Sequence, residues 1–229
     1  MSENERAAGS GKFGKPILIH GRYMQEFSAI PAPYDWRYRP AIAGKSRTVT
    51  EIGTHWMDLA QFITGEKVAS VSAKFGHFFP NRVIKDGFTY PEGKGVEGEP
   101  VKIESEDAAI INMTFESGAL GNVVLSGVSC GRGNHLSLEV TCEDGNLWWN
   151  EEDNNILYSA KKGQGILKEV LAFGNGFSET FAALMEDFYH SIETGEQGIY
   201  PTFKDGKLVC RICEAVCESA EKESAWIQI

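Results

Sequence analysis

The residues best suited to chemistry sit in one short stretch, TEIGTHWMDLAQFITG, from Thr50 to Gly65. Glu51, His55 and Asp58 recur there at i, i+4 and i+7, so on an α-helix turning roughly 100° per residue they point the same way. An imidazole flanked by carboxylates suits proton transfer near neutrality, where histidine titrates without any special environment. The same spacing also fits a structural helix edge, with His55 hydrogen-bonded to Glu51 or Asp58 and no chemistry done. Ile52, Trp56, Leu59 and Ile63 form a second stripe about a quarter turn away, which predicts burial against a core.

The segment before this helix, FSAIPAPYDWRYRPAIAGKSR, is irregular because Pro31, Pro33 and Pro40 interrupt any regular element. It crowds Tyr34, Trp36, Arg37 and Tyr38 together and leads straight to Glu51. Trp36 and Arg37 are therefore candidate substrate-binding residues on a binding loop; the alternative is a core-plugging tryptophan and a surface ion pair. Lys45, Ser46 and Arg47 either receive an anionic substrate or cofactor group or form a solvated turn.

Two other motifs fail on inspection. GSGK at positions 9–12 has Arg6 where a phosphate loop needs its first glycine, and Phe13 where it needs a metal-binding hydroxyl. Cys210, Cys213 and Cys217 make one helical stripe without a fourth ligand nearby, which favours small buried side chains over a metal.

The elements that position the stretch read as follows. Residues 1–12 are expected to be a flexible lead-in. Alternation predicts strands over 16–23, 67–79, 108–115, 119–129, 135–142, 147–150 and 156–159. Residues 81–106, rich in glycine and charge, read as a partly mobile surface insertion. Helices are expected over 178–194 and from about 203 to 222, each with one apolar face, and Ala225 to Ile229 as an edge strand.

Short links between strands require antiparallel neighbours. The expectation is an α+β fold: a large, mainly antiparallel, open-faced sheet with helices packed on one face, formed by a single domain over residues 13–229. Val123, Leu125, Leu138, Val140 and Trp148 offer more apolar surface than one face needs. That excess predicts a homodimer or higher oligomer through the open face.

A formal net charge of −10 across 229 residues argues against nucleic acid or an anionic membrane as partner. No apolar run is long enough to span a bilayer, the first residues lack the apolar stretch of a signal peptide, and a cytoplasmic setting is expected. Five cysteines do not suggest a disulfide framework.

In the helix stretch, TEIGTHWMDLAQFITG resembles the D-x-G-x-H-x-x-D element of the Gfo/Idh/MocA sugar and cyclitol dehydrogenases, in their C-terminal domain. GKFGKPILIHGRYMQ, YDWRYRPAIAGK, GRGNHLSLEVTCEDGNLWWN and YPTFKDGKLVCRICEAVCESAEKESAW resemble further segments of that domain in the same order, over about residues 11 to 229. The resemblance implies a substrate-binding and oligomerisation domain that works with a Rossmann domain holding NAD or NADP and a catalytic lysine. This sequence has no G-x-G-x-x-G between an expected strand and helix and no Glu-Lys-Pro motif, so no cofactor is expected for this chain alone and the Rossmann domain is an expected partner.

By the same resemblance His55 matches the catalytic histidine, and a small polyol or sugar is the implied substrate. Glu51 stands where the family usually has aspartate. It or Asp58 would orient the imidazole or bind a hydroxyl. The competing expectation is a non-catalytic dimerisation or carbohydrate-binding module.

Overall fold

The computed structural model describes residues 12–172 and 178–229, so all but the last residue of the expected lead-in lies outside the described residues. The strands are β1 (Pro16–Met24), β2 (Ala32–Pro33), β3 (Val68–Gly76), β4 (Asn81–Lys85), β5 (Phe88–Pro91), β6 (Glu99–Lys102) and β7 (Ala108–Phe115). They continue as β8 (Leu120–Ser126), β9 (His135–Cys142), β10 (Gly145–Asn150), β11 (Ile156–Lys161), β12 (Ile166–Val170) and β13 (Ile227–Gln228). The helices are α1 (Pro40–Ala43), α2 (Thr54–Thr64), α3 (Ser178–Thr194) and α4 (Phe203–Glu221).

Nine strands make one sheet in the order β12-β11-β10-β9-β1-β8-β7-β3-β13, and the fold is α+β as expected. Only β1 and β8 run parallel, with about a hundred residues of chain between them; every other neighbouring pair in this sheet is antiparallel. β12 was not anticipated from sequence. The expected last edge strand is β13, which pairs Ile227 with Val71.

Register decides which side of the sheet is core. Ile19 lies opposite Val140, Gly21 opposite both Leu138 and Val123, and Ile111 opposite Val123, so these residues share one face. Helices α2 and α4 cover it with Trp56, Met57, Ile212 and Val216, all fully buried. Val123, Leu125, Leu138 and Val140 therefore belong to the helix-covered core and not to the open face. Of the five residues whose apolar surface was expected to exceed one face, Trp148 alone is on the open side, stacked on Tyr158 with ring centres 5.4 Å apart. The alternation was legible, but its phase is set by pairing with β1.

Two further expectations change. Helix α4 lies on the sheet, but α3 does not: Phe181, Met185, Phe188 and Ile192 are exposed, because α2 and α4 already occupy the face. Residues 81–102 are not a bare insertion. β4, β5 and β6 form a second antiparallel sheet with β2, in the order β2-β5-β4-β6. Arg82, 2% exposed, fastens it by donating from Nη1 to the Ser28 carbonyl at 2.7 Å and from Nε to the Thr89 hydroxyl.

The sheet and α2 approach closely at Gly21. A Cβ there would lie 2.0 Å from the Ser137 carbonyl oxygen and 2.8 Å from Trp56 Nε1, the pair joined by a 2.9 Å hydrogen bond. Gly21→Ala should therefore destabilise the fold by about 3 kcal/mol, read as a lower urea midpoint at unchanged slope.

Candidate functional site

The site helix starts as a π-helical turn, Val49–Gly53, and becomes α-helical at Thr54. Thr50 and Thr54 return their hydroxyls to the carbonyls of Ser46 (2.9 Å) and Thr50 (3.1 Å), which suits the widened turn. The buried carboxylate of Glu106 holds the start of this turn. It accepts from Ser46 Oγ at 2.7 Å, from the Arg47 amide at 3.1 Å and from the Val49 amide at 2.8 Å. An anion is favourable there because the first amides of a helix have no internal partner.

Arg47 folds back on the same cluster, with Nη2 2.7 Å from Asp107 Oδ1 and Cζ 4.8 Å from the Tyr38 ring. Asp107 Oδ2 accepts the amides of Phe78 (2.7 Å) and Phe79 (2.8 Å). Neither reading of residues 45–47 therefore holds. Ser46 and Arg47 are buried structural partners of Glu106 and Asp107, and Lys45 pairs with Glu221 at 2.6 Å on the surface. Glu106, taken from sequence as the end of a surface insertion, is fully buried.

Between the site helix and the loop over residues 27–38 lies a cavity of about 630 Å³. Glu51, His55, Trp36 and Arg37 all line it, together with Tyr23, Gln25 and Tyr38. The loop is shaped by a single 3₁₀ turn, Trp36–Tyr38, capped by Asp35, whose Oδ1 accepts the Arg37 amide at 2.9 Å. Strand β2 ties the loop to the second sheet through its pairing with β5. Trp36 is exposed and lies under the Arg37 guanidinium, 4.8 Å from Cζ to ring centre, so it does not plug the core.

The three ionisable residues of the helix do not converge. Arg37 Nε lies 3.2 Å from Glu51 Oε1, and no hydrogen bond or ion pair joins Glu51 to His55 among the described residues. Burial pushes the Glu51 carboxyl up, with Arg37 and Arg47 pulling it back. Asp58 faces a different cavity, of about 650 Å³, between α2, α3 and the start of α4. There burial pushes its carboxyl up, reinforced by Asp205. The π turn changes the angle between Glu51 and His55, which still share a cavity, whereas Asp58, three residues from His55 in regular α-helix, takes the other one.

The apolar stripe is also rotated. Ile52, Trp56, Met57 and Ala60 are buried, while Leu59 and Ile63 are shoulder residues packed partly against the core. His55 is exposed at the cavity rim, with its ring centre 6.2 Å from that of Tyr23.

Tyr23 and Gln25 were not singled out from sequence. Both bond to Asn134, the last residue of the G-R-x-N segment: Tyr23 Oη donates to Asn134 Oδ1 at 2.5 Å and Gln25 Nε2 at 2.9 Å. Burial, then Glu151, pushes the Tyr23 phenol up. Tyr23 shares the strand face of Ile19 and Gly21, and that period-two position beside a polar Gln25 was the available signal.

The cysteine stripe is part core and part surface. Cys213 is buried, and burial pushes its thiol up to about 12; Cys217 is partly buried and reaches about 11; Cys210 is exposed. Among the described residues no cluster of histidine, cysteine and carboxylates is arranged to hold a metal, and no helix is long and apolar enough to cross a membrane.

Residues 4–148 match the GFO/IDH/MocA C-terminal domain. The chain belongs to the Gfo/Idh/MocA oxidoreductase family. It is 30% identical over 242 residues to the levoglucosan dehydrogenase of Pseudarthrobacter phenanthrenivorans, covering 96% of this chain and 61% of that protein. The solved structure of levoglucosan dehydrogenase in its apo form superposes with a TM-score of 0.85 at 28% identity, over 96% of this chain and 60% of that one.

Its complex with NADH and L-sorbose gives 0.83 at 28% identity with the same coverage. An inositol dehydrogenase homologue from Azotobacter vinelandii, complexed with NAD+, shares the fold at a TM-score of 0.73 and 21% identity, over 96% of this chain and 59% of that one. The chain thus spans about 60% of the length of these Gfo/Idh/MocA relatives.

Within this family member the Glu106 cap is the contact that builds the site helix. Glu106→Gln keeps the volume but replaces an accepting oxygen by an amide donor facing other donors. The loss should be about 3 kcal/mol in urea unfolding, with faster amide exchange across residues 47–53.

Proposed function

We propose that this chain is the substrate-binding and oligomerisation domain of an NAD(P)-dependent sugar or polyol dehydrogenase. One observation carries the reading: a single cavity is lined by His55, Glu51, Trp36 and Arg37. An exposed tryptophan offers a flat apolar face to a sugar ring, while paired charges and amides beside it suit hydroxyl groups. The relatives in complex with NADH and sugars support the substrate class.

The residues of this chain fit the reacting end of a nicotinamide cofactor and not its pyrophosphate. His55 stands exposed at the cavity rim beside Tyr23, but no glycine-rich turn between a strand and a helix is offered among the described residues. When bound, the cofactor supplies the hydride acceptor. The part played by this chain is to bind and deprotonate the alcohol: His55 takes the hydroxyl proton as the carbonyl forms, and Glu51 accepts a hydrogen bond from a neighbouring hydroxyl. Trp36 packs on the ring and Arg37 braces Glu51. Asp58, in the other cavity, has no part in this proposal.

In the full-length protein, His55→Ala should lower turnover by a factor of about 10² or more, with an unfolding midpoint close to that of the parent. Steady-state rates with sugars and inositols check this, and unchanged turnover would remove His55 from the mechanism.

The open sheet face is the proposed site of self-association. It carries Leu18, Leu120, Ile110 and Trp148 among polar residues such as His20, Glu139 and Asn122, a mixture suited to an interface between two copies. Light scattering of the chain at micromolar concentration should give twice the monomer mass or a higher multiple; a monomer would refute it.

A further inference from the structure

The contact between the loop and the site helix has a consequence for how Glu51 and His55 divide their work. We propose that Arg37 is a positioning residue: it pins the Glu51 carboxylate to the loop, away from His55, so that the carboxylate and the imidazole meet a hydroxylated ligand as two separate groups. The ligand in this statement rests on the substrate reading above. The arrangement of Arg37, Glu51 and His55 is tested without one.

The guanidinium is fixed on three sides. Nη1 donates to Asp35 Oδ2 at 2.6 Å, Nε lies 3.2 Å from Glu51 Oε1, and the Trp36 ring lies 4.8 Å from Cζ. Asp35 is itself braced, because its other oxygen caps the turn through the Arg37 amide at 2.9 Å. Asp35, Arg37 and Glu51 therefore form a continuous arm from the loop to the helix across the cavity wall. Arg37 and Glu51 are each partly exposed, with side-chain accessibilities of 45% and 31%, so the pair is worth little as a stabiliser of the fold. Its geometry suits direction more than strength.

Of the other charges acting on Glu51, Glu106 is bound to the start of the helix, and Arg47 pairs through Nη2 with Asp107 while its Nε and Nη1 make no hydrogen bond among the described residues. Arg37 is the cation in ion-pair contact with the Glu51 carboxylate and so sets where it points. Glu51 Oε2 has no hydrogen-bond donor among the described residues, and neither has the His55 ring, so both remain available to a ligand. The glutamate carboxylate reaches Arg37, whereas a carboxylate released from the arm is one turn from His55 and free to pair with it.

The test uses nuclear magnetic resonance on the carbon-labelled chain, following the Glu51 carboxyl and the His55 imidazole through a pH titration. In Arg37→Met the Glu51 midpoint should rise by about one unit, since an opposite charge beside it has been removed. The His55 midpoint should also rise, as the freed carboxylate turns to it. Arg37→Lys should restore much of the Glu51 midpoint, and in a Glu51→Gln background Arg37→Met should leave His55 unmoved.

Unchanged midpoints in a folded Arg37→Met chain would overturn the proposal. A Glu51 shift with His55 unmoved would overturn it too, leaving only a surface ion pair. Titration with levoglucosan separates this from the substrate reading: Arg37→Met should weaken binding about tenfold and Arg37→Lys less. If the unmodified chain binds no sugar while the midpoints move as stated, the substrate reading fails and the positioning role stands.

Discussion

Glu106 holds together parts of the chain that are far apart in sequence. Its carboxylate takes hydrogen bonds from Ser46 and from the amides of Arg47 and Val49, while its own carbonyl accepts the Thr48 hydroxyl at 2.9 Å. A fully buried carboxylate is costly unless donors surround it, and the unpaired amides at a helix start supply them. The same contact fixes where the π turn begins, and hence how Glu51 and His55 are presented. Remove that anion, and Ser46 and the amides of Arg47 and Val49 lose their common acceptor.

Asp107, next in the chain, extends this constraint to the second sheet. It pairs with Arg47 and receives the amides of Phe78 and Phe79, just before β4. Tyr38 lies between two guanidiniums, 4.8 Å from Arg47 and 5.7 Å from Arg82. The loop bearing Trp36 and Arg37 is therefore seated on the same buried charges that start the site helix. Loop and helix make the two walls of the cavity, and a shared foundation keeps them in register.

Much of this architecture was legible. Strand alternation located β1, β3 and β7 to β11 within a few residues, because a half-buried strand writes its period into the sequence. Trp36, Arg37, Glu51 and His55 were selected as a group, and one cavity brings all four together. Asp58 was grouped with them and faces another cavity: it lies three residues from His55 in regular α-helix, on the side where α3 and the start of α4 form the opposite wall. Residues 81–106 read as loop for a related reason. Glycines and charges hide a sheet that a buried arginine, more than an apolar stripe, fastens to the loop.

Apolar patterning and the order of short links by themselves determined an antiparallel-rich α+β sheet, and the D-x-G-x-H-like segment determined the family to which the chain is similar. Tertiary structure alone decided which face of the sheet became core, since a period of two has no preferred phase until β1 pairs with β8 and β9. It alone decided that α3 would present its apolar row outward. Within the opening stretch it separated three aligned ionisable groups into an exposed imidazole, a carboxylate held by Arg37 and an aspartate in a second cavity. The physical reason is that the walls these groups meet, the loop bearing Arg37 and the helices α3 and α4, come from parts of the chain remote from the stretch itself.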